Sequence, residues 1–172
     1  MVMDQNPEAL DETSRLTAER LTLIQSNNTL RFEGPTQLLR WTQRRQPDVE
    51  PDTDIRVSNG RWNLETGELG VRGPVRALRR KDLTVTASAL QGNTQQGFLD
   101  LIQPVRLEQK DGAINAGTTR WNLAEQRLRS IAPFQGKRQD ATAMGNGFVI
   151  DEAATTVIIP KACQLTQPGE SL

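Results

Sequence analysis

The feature that most constrains this chain is an internal repeat marked by proline. The segment Arg61–Leu69, which begins Arg-Trp-Asn-Leu, returns as Arg120–Leu128, and a proline follows each copy by five residues. A fixed period of this kind is the signature of an architecture built from stacked similar units. Pro160 marks a weaker fifth unit. In four units a leucine precedes the proline by five residues, at Leu30/Pro35, Leu69/Pro74, Leu99/Pro104 and Leu128/Pro133.

Each unit has the pattern of two short β-strands. Turn-forming residues divide the units at 65–67, 95–97 and 124–126, and separate them at 80–82, 110–112 and 137–140. Two strands and two turns fill about 30 residues, so each unit is hairpin-like, and no helical crossover for parallel strands is visible. Glu, Ala, Leu and Arg over 8–23 would also suit a helix, but this segment shares the repeat register, which favours strand.

Side chains along the second strand of each unit alternate between two faces. At odd distances from the proline they are apolar, and at even distances they are mostly charged, with Ile102 and Ile131 as exceptions. In the first strands the alternation changes phase halfway, as one extra residue would cause. We therefore predict a bulge or bend near 59–60, 89–90 and 118–119. Proline cannot donate a ladder hydrogen bond, so the repeated prolines should lie at strand edges or bends. The result is an all-β, folded-over antiparallel sheet.

The composition excludes several classes of chemistry. Basic and acidic residues both number 21, so the formal net charge is zero, which argues against nucleic-acid binding. With no histidine and one cysteine, Cys163, the chain lacks the residues for a zinc site or a histidine-dependent nucleophile. We expect no catalytic activity, no metal and no cofactor. No apolar run reaches the ~20 residues that span a bilayer, and no signal peptide is evident, which suits a cytoplasmic protein or a fragment without its targeting segment.

We divide the chain into a disordered lead-in at 1–13, one repeat domain at 14–163 and a flexible tail at 164–172. The first step between prolines is 39 residues, from Pro35 to Pro74, against 30, 29 and 27 afterwards. The excess corresponds to the charged, proline-containing segment 42–54, which we predict to be a surface loop insertion because the register resumes after it.

The repeats resemble those of the OstA/LptA/LptC family of lipopolysaccharide transport proteins. The shared pattern runs from a small residue through Trp-Asn-Leu, as from Val57 to Leu64, and on to a leucine and a proline, as at Leu69 and Pro74. It covers roughly 16–163 and is most similar to the C-terminal part of the longer LptC variant. The resemblance implies an open β-jellyroll of about five hairpin-like repeats, whose apolar groove holds acyl chains. It also implies that such domains join edge to edge into a bridge.

The same resemblance implies partners and a location. The expected partners are lipopolysaccharide, other Lpt jellyroll proteins and the inner-membrane ABC transporter complex, with edge-to-edge homo-oligomers as a further option. The expected location is the periplasm, with an inner-membrane anchor in an N-terminal segment absent from this chain. The alternative function is a ligand-free structural or adhesive β-repeat scaffold with a closed core. A carbohydrate-binding jellyroll is weaker, because aromatic platforms are scarce in a chain with only 4% aromatic residues.

The apolar face is the candidate lipid groove, and ordinary core packing is the alternative for the same residues. Its two tryptophans are large, buriable side chains that commonly anchor packing. The predicted groove residues are Phe32, Trp62, Leu69, Val71, Val75, Leu99, Leu101, Val105, Leu107, Trp121 and Phe134.

Other residues receive weaker functional hypotheses. Asn63 and Asn122 should face solvent or cap a turn, and Cys163 should be a small core residue. Carboxylate pairs such as Glu108/Asp111 and Asp151/Glu152 fall in predicted turns without a convergent pocket, so we do not assign them catalysis. Four arginines on the charged face could meet phosphorylated sugars or simply form a solvated face; they are Arg72, Arg76, Arg106 and Arg129.

The last β-forming segment is the candidate partner edge. An array of strands has two open edges, and unpaired backbone groups there can pair with another chain. The predicted edge residues are Phe148, Ile150, Val157 and Ile159.

Overall fold

The computed structural model describes residues 2–4, 7–10, 12–46, 48–80, 82–139, 141–151, 156–159 and 164–166. Within them lie sixteen strands and one 3-10 turn, Gln25–Asn27. The strands are β1 (Val2–Asp4), β2 (Glu8–Leu10), β3 (Ser14–Ile24), β4 (Thr29–Arg40), β5 (Thr53–Val57), β6 (Gly60–Asn63), β7 (Glu68–Arg79), β8 (Leu83–Asn93), β9 (Phe98–Ile102), β10 (Val105–Gln109), β11 (Gly112–Ala116), β12 (Thr119–Asn122), β13 (Arg127–Arg138), β14 (Ala141–Asp151), β15 (Thr156–Ile158) and β16 (Gln164–Thr166).

All sixteen strands belong to one sheet, and the prolines mark where it bends. The ladder between β3 and β4 skips Gly34 and Pro35, and the ladder between β7 and β8 skips Gly73 and Pro74. A third shift lies between Ser130 and Pro133. A proline has no N–H to donate, so the ladder breaks there and the strand can change direction.

The bends divide the sheet into two layers. The first layer contains β2, β5, β10, β11, β16, the halves of β4, β7 and β13 that follow Pro35, Pro74 and Pro133, and the halves of β3, β8 and β14 that pair with them. The second contains β1, β6, β9, β12, β15, the halves of β4, β7 and β13 that precede those prolines, and the halves of β3, β8 and β14 that pair with them. The layers face each other: the rings of Phe134 in the first and Phe148 in the second meet edge to face, with centroids 5.6 Å apart.

The core lies between the layers, and its pattern follows the strand period. Along β7, Val75, Ala77 and Arg79 point inward and are buried, whereas Arg76 and Leu78 are exposed. Side chains from both layers form one continuous hydrophobic cluster. Burial of this apolar surface is the main stabilising term, at about 0.8 kcal/mol per buried CH2.

Several sequence predictions are confirmed. The fold is an antiparallel β-jellyroll, and the segment 8–23 forms strands rather than a helix. Ladder breaks lie within two residues of the predicted bends: β5 and β6 are separated at 58–59, Ser88 is skipped in β8, and β11 and β12 are separated at 117–118. The turns at 65–67, 95–97 and 124–126 lie between strands as predicted.

The structure differs from the sequence predictions at both ends. The segment 1–13 contains β1 and β2, which pair with different halves of β3 and so satisfy its otherwise open edge. Within the predicted tail, β16 pairs with β14, and the rest of that tail lies outside the described residues, as do Pro160 and Cys163. The predicted insertion is a loop only up to residue 52, because β5 begins at Thr53. No helix of the described chain is long and apolar enough to cross a membrane.

Candidate functional site

The predicted groove residues form a packed interior over most of its length. All of them except Trp62 are buried, and Leu101 and Trp121 have no exposed surface at all. The candidate groove is therefore also the core, and the two hypotheses made for these residues describe the same side chains. Trp62, by contrast, is only half-buried.

An opening into the interior lies beside Trp62. Two adjoining cavities lie there. We call the larger one, of about 330 Å³, the vestibule, and the smaller one, of about 20 Å³, the inner pocket. The inner pocket has room for about one water molecule, whereas the vestibule is at the low end of ligand-pocket sizes, about 300–1,000 Å³. Of the residues that the structure describes, those lining both cavities form the neck between them; they are Ser14, Arg40, Trp62 and Thr94.

Turn hydrogen bonds hold the Trp62 side of the neck. The indole N–H of Trp62 donates to the hydroxyl of Thr94 over 3.2 Å, and that hydroxyl donates to the carbonyl of Gly67, also over 3.2 Å. The Asn63 side-chain oxygen accepts the backbone N–H groups of Glu65 and Thr66 at 2.9 and 2.8 Å. These bonds connect the turn after β6 to the turn after β8 and fix the position of the indole.

The same turn motif occurs three times. The Asn122 side-chain oxygen accepts the N–H groups of Ala124 and Glu125, so the predicted turn-capping role of Asn63 and Asn122 is confirmed. Asn93 does the same for Gln95 and Gln96, and sequence reasoning missed it. The available signal was its position, since all three asparagines lie eleven residues before a repeat proline.

The inner pocket is lined by apolar residues apart from the neck, whereas Thr13 and Gln95 add polar groups to the lining of the vestibule. Leu16, Leu38 and Ile55 of the first layer face Leu69 and Leu99 of the second in the inner pocket. Ser14 and Arg40 are directly paired residues of β3 and β4, at the ends of the two inward rows.

Among the residues that the structure describes, Arg40 is the one charged residue lining these cavities. A guanidinium and nearby hydroxyls can donate hydrogen bonds. This arrangement is suited to binding an apolar chain with a polar or anionic end.

Farther along the interior, a second tryptophan, Trp121, is fully buried. The guanidinium of Arg79 lies over the ring of Trp121 at 5.8 Å, and its Nη1 donates to the Thr53 hydroxyl over 2.8 Å. Next to it, Arg80 Nη2 donates to the side-chain oxygen of Gln126 over 2.9 Å. Because Arg79 and Arg80 belong to the first layer and Trp121 and Gln126 to the second, these contacts join the layers.

Asp52 supports this closed side. Its carboxylate accepts the backbone N–H of Thr42 over 2.6 Å and lies 3.7 Å from Arg80 Nε. Burial raises the pKa of Asp52, but the hydrogen bonds from Thr42 and the positive charges of Arg79 and Arg80 outweigh it, so this pKa lies below its usual value. The carboxylate therefore remains charged and connects the loop after β4 to the end of β7.

The charged outer face has no convergent site among the described residues. Arg72, Arg76 and Arg129 are exposed, and Arg106 pairs with Glu108 at 2.7 Å. An open polar trough of about 490 Å³ lies on this face beside Arg106. No described group of carboxylate or cysteine side chains could hold a metal ion.

The predicted C-terminal edge segment lies only partly at the sheet edge. Phe148 and Ile150 are buried in β14, which β15 and β16 cover on the side away from β13. Val157 is exposed on β15, at the edge of the second layer, and Ile159 packs against the core. Of the four predicted edge residues, only Val157 lies in a strand at the sheet edge.

Comparisons with known proteins give a relationship of fold. No protein family model matches this sequence, and no curated protein matches it either. Among solved structures, the chain is similar to LptH from Pseudomonas aeruginosa, described as the LptA homologous periplasmic component of the lipopolysaccharide transport device. The match has a TM-score of 0.53 and 12% sequence identity, and it covers 68% of this chain and 80% of LptH. The chain therefore shares the LptA-like β-jellyroll fold.

Proposed function

We propose that this protein is a periplasmic component of lipopolysaccharide transport that holds acyl chains between its two layers and carries out no chemistry. The observation that carries the proposal is the pairing of an LptH-like fold with an opening that leads from solvent to an apolar interior. Acyl chains need no specific polar partner, because each buried CH2 contributes about 0.8 kcal/mol. Transport against a gradient would be driven by an ATPase complex elsewhere.

Lipid binding in this fold requires the layers to separate. Leu101, Trp121 and Phe148 have no exposed surface, so an acyl chain can reach them only by displacing core contacts. The vestibule is the natural starting point, because Trp62 is half-buried and lies beside a cavity of about 330 Å³. We propose that the lipid enters there and extends inward as the layers separate.

The sheet edges are the proposed contacts with other jellyroll domains. β1 and β2 lie at one end of the two layers, and β15 and β16 lie at the other. Short edge strands with exposed backbone groups can add a strand from another chain. A position at the inner membrane, as in LptC, is proposed only on the likeness of the repeats to that protein.

The alternative function is a ligand-free scaffold, and the packed interior favours it. A core whose largest side chains are fully buried needs no ligand for stability. The two functions differ in whether lipid ever contacts the interior in cells.

Site-specific photo-crosslinking in cells that make lipopolysaccharide separates the two. A photoreactive residue is placed at Trp62 in the neck, at Leu101 in the interior, or at Arg106 on the outer face as the control. Transport predicts lipopolysaccharide adducts at Trp62 and Leu101 and none at Arg106. Absence of adducts at both inner positions, in variants that fold and reach the periplasm, would contradict transport and favour the scaffold.

A further inference from the structure

We infer that the outer face of the second layer docks on the surface of an anionic lipid bilayer. The docking surface, which we call the outer patch, consists of four aliphatic residues and a rim of three arginines. The inference goes beyond the proposed function, because it concerns the outside of the sheet and requires no lipid between the layers. The patch residues are Ile102, Ile131, Val149 and Ile158, and the rim residues are Arg72, Arg120 and Arg129.

The pairing of the strands places the patch residues side by side. Val149 of β14 is paired with Arg129 of β13 on one side and with Ile158 of β15 on the other. Paired side chains lie on the same face of a sheet, with Cβ atoms about 4.5–5.5 Å apart. Because the preceding residue, Phe148, is fully buried, Val149 and its two partners face outward. Ile131 follows Arg129 by two residues and adjoins this row.

Ile131 projects from the outer side of a bend. Its exposed fraction, 83%, is the highest among the large hydrophobic side chains of the described residues. It lies at the register shift before Pro133, and the neighbouring residue of β14 is Gly147, on which a Cβ would lie 3.6 Å from Cα of Ile131. The isoleucine therefore has no side chain beside it there and is free to contact another surface.

The repeat shows that the apolar character of this position is local. The residue two places before each of the four clear repeat prolines is Glu33, Arg72, Ile102 or Ile131. The position is thus charged in the first two units and isoleucine in the next two, although an outward position of a half-buried sheet is ordinarily polar. Ile158 is 52% exposed on β15, at the same end of the layer. The outer apolar surface is therefore confined to the C-terminal half of the second layer.

Two carboxylates that flank the patch are neutralised by arginines. Asp100 accepts two hydrogen bonds from Arg120, at 2.7 and 2.8 Å. Asp151 pairs with Arg127 at 3.1 Å. These acidic groups therefore repel an anionic surface only weakly, since each has a positive charge beside it.

The remaining rim arginines give the patch its attraction for anions. Arg129 is exposed between Arg120 and Val149 in the row of paired residues, and Arg72 is exposed two strands from Ile102. A guanidinium matches phosphate oxygens in a bidentate manner, and arginines near a bilayer are attracted to anionic headgroups. Apolar side chains next to such arginines can enter the boundary between headgroups and acyl chains.

The shape of the patch favours a bilayer over a protein partner. None of the patch and rim residues lines the vestibule, the inner pocket or the outer trough. Protein interfaces depend on anchor side chains that fill pockets. A bilayer needs no matching shape, since its affinity scales with inserted apolar area and with charge. A protruding isoleucine beside exposed arginines meets both requirements.

The test measures flotation of the purified full chain with vesicles. One set of vesicles is phosphatidylcholine alone, and in the other about a quarter of the lipid is phosphatidylglycerol, which supplies the anionic headgroups. Ile131→Ser and Arg129→Gln change the patch. Leu78→Ser and Arg76→Gln are matched controls, because both residues are exposed on the outer face of the first layer. Trp62→Phe is the control for lipid uptake through the neck.

We expect the wild type to float with the anionic vesicles and not with the neutral ones. Ile131→Ser should weaken binding about tenfold, because an inserted aliphatic side chain is lost. Arg129→Gln should weaken it about fivefold, because one charge near the headgroups is lost. Leu78→Ser, Arg76→Gln and Trp62→Phe should bind as the wild type does.

Three results would overturn the inference. The first is equal flotation with neutral and anionic vesicles, or none with either. The second is equal binding by Ile131→Ser and the wild type, or equal weakening by Ile131→Ser and Leu78→Ser. The third is a wild-type dimer in analytical ultracentrifugation that Ile131→Ser abolishes, without vesicle binding, since a second copy would then cover the patch. Thermal unfolding of each variant shows whether a loss of binding reflects a loss of fold.

The inference and the proposed function fail separately. Lipopolysaccharide crosslinks at Trp62 and Leu101 in a protein that does not float with anionic vesicles would contradict only the outer patch. Flotation that depends on Ile131 and Arg129, without crosslinks at either inner position, would contradict only the proposed transport of lipid between the layers.

Discussion

Trp62 and Trp121 occupy the same position of the repeat, yet one lines a cavity and the other belongs to the core. Both follow an arginine and precede Asn-Leu, and both lie in short strands of the second layer. Within the sheet their neighbours are alike: Trp62 lies between Leu30 and Leu69, and Trp121 lies between Leu99 and Leu128. The in-sheet environment therefore does not explain the difference.

The difference comes from the opposite layer. Trp121 faces Arg79, whose guanidinium covers the ring at 5.8 Å and bonds to Thr53. Trp62 shares a neck with Ser14 and Arg40, and a cavity separates the layers there. The repeat thus determines strand and turn, whereas the side chains across the layers determine whether the interior is open.

The largest expected effect distinguishes the two tryptophans by stability. Trp121→Ala should lower the free energy of unfolding by about 3–5 kcal/mol, because a fully buried aromatic side chain leaves a cavity in a closed core. Trp62→Ala should cost only about 1–2 kcal/mol, because its ring already borders a cavity. Urea unfolding followed by circular dichroism measures both. Equal losses would mean that the two ends of the interior are packed alike.

A smaller effect distinguishes the two arginines. Arg79→Ala should cost about 2 kcal/mol, because it removes the contact with Trp121 and leaves the buried Thr53 hydroxyl without its donor. Arg40→Ala should cost less than about 1 kcal/mol, because its side chain borders the vestibule. The same unfolding experiment applies, with Arg79→Met as a control that retains the apolar stem. An unchanged stability of Arg79→Ala would show that closure over Trp121 contributes nothing.

Sequence reasoning could predict the fold because the repeat and the alternation agree. The prolines at fixed spacing gave the bends, and the side-chain parity gave the buried face of β7 and its counterparts. Both signals are local, since a proline interrupts its own ladder and a side chain's face follows from its place in the strand. Even the caps at Asn63 and Asn122 follow from the local turn chemistry of asparagine.

The candidate site could be predicted only in part, because it depends on contacts between layers. Trp62 and Leu69 were recognised as inward-facing, but Ser14, Thr94 and Arg40 come from other units and have no mutual sequence signal. Arg79 was harder still, because a charged residue in an inward position is normally exposed. Here the ring of Trp121 and the Thr53 hydroxyl accommodate it, and both are distant in sequence.

The smallest expected effect is a pH dependence of stability that distinguishes the Trp121 side of the interior from the Trp62 side. Because the pKa of Asp52 is lowered in the fold, its charged form stabilises the protein above the unfolded-state pKa of 3.8, and this contribution is lost as the pH falls through the lower folded-state pKa. Asp52→Asn should therefore cost about 1 kcal/mol near pH 6, where the charge-assisted bond to Thr42 is intact, and progressively less below pH 3.8.

Lowering the pH should therefore destabilise the contacts around Trp121 before it affects those around Trp62. Asp52 lies among the Arg79 and Arg80 contacts, whereas no carboxylate of the described residues lines the vestibule or the inner pocket. Urea unfolding at several pH values measures the Asp52→Asn difference, with Asp48→Asn, an exposed change in the same loop, as the control. A difference that stays constant down to pH 2.5 would assign the effect of Asp52 to hydrogen-bond geometry rather than charge. The stability of the Trp121 side would then depend on pH no more than that of the Trp62 side.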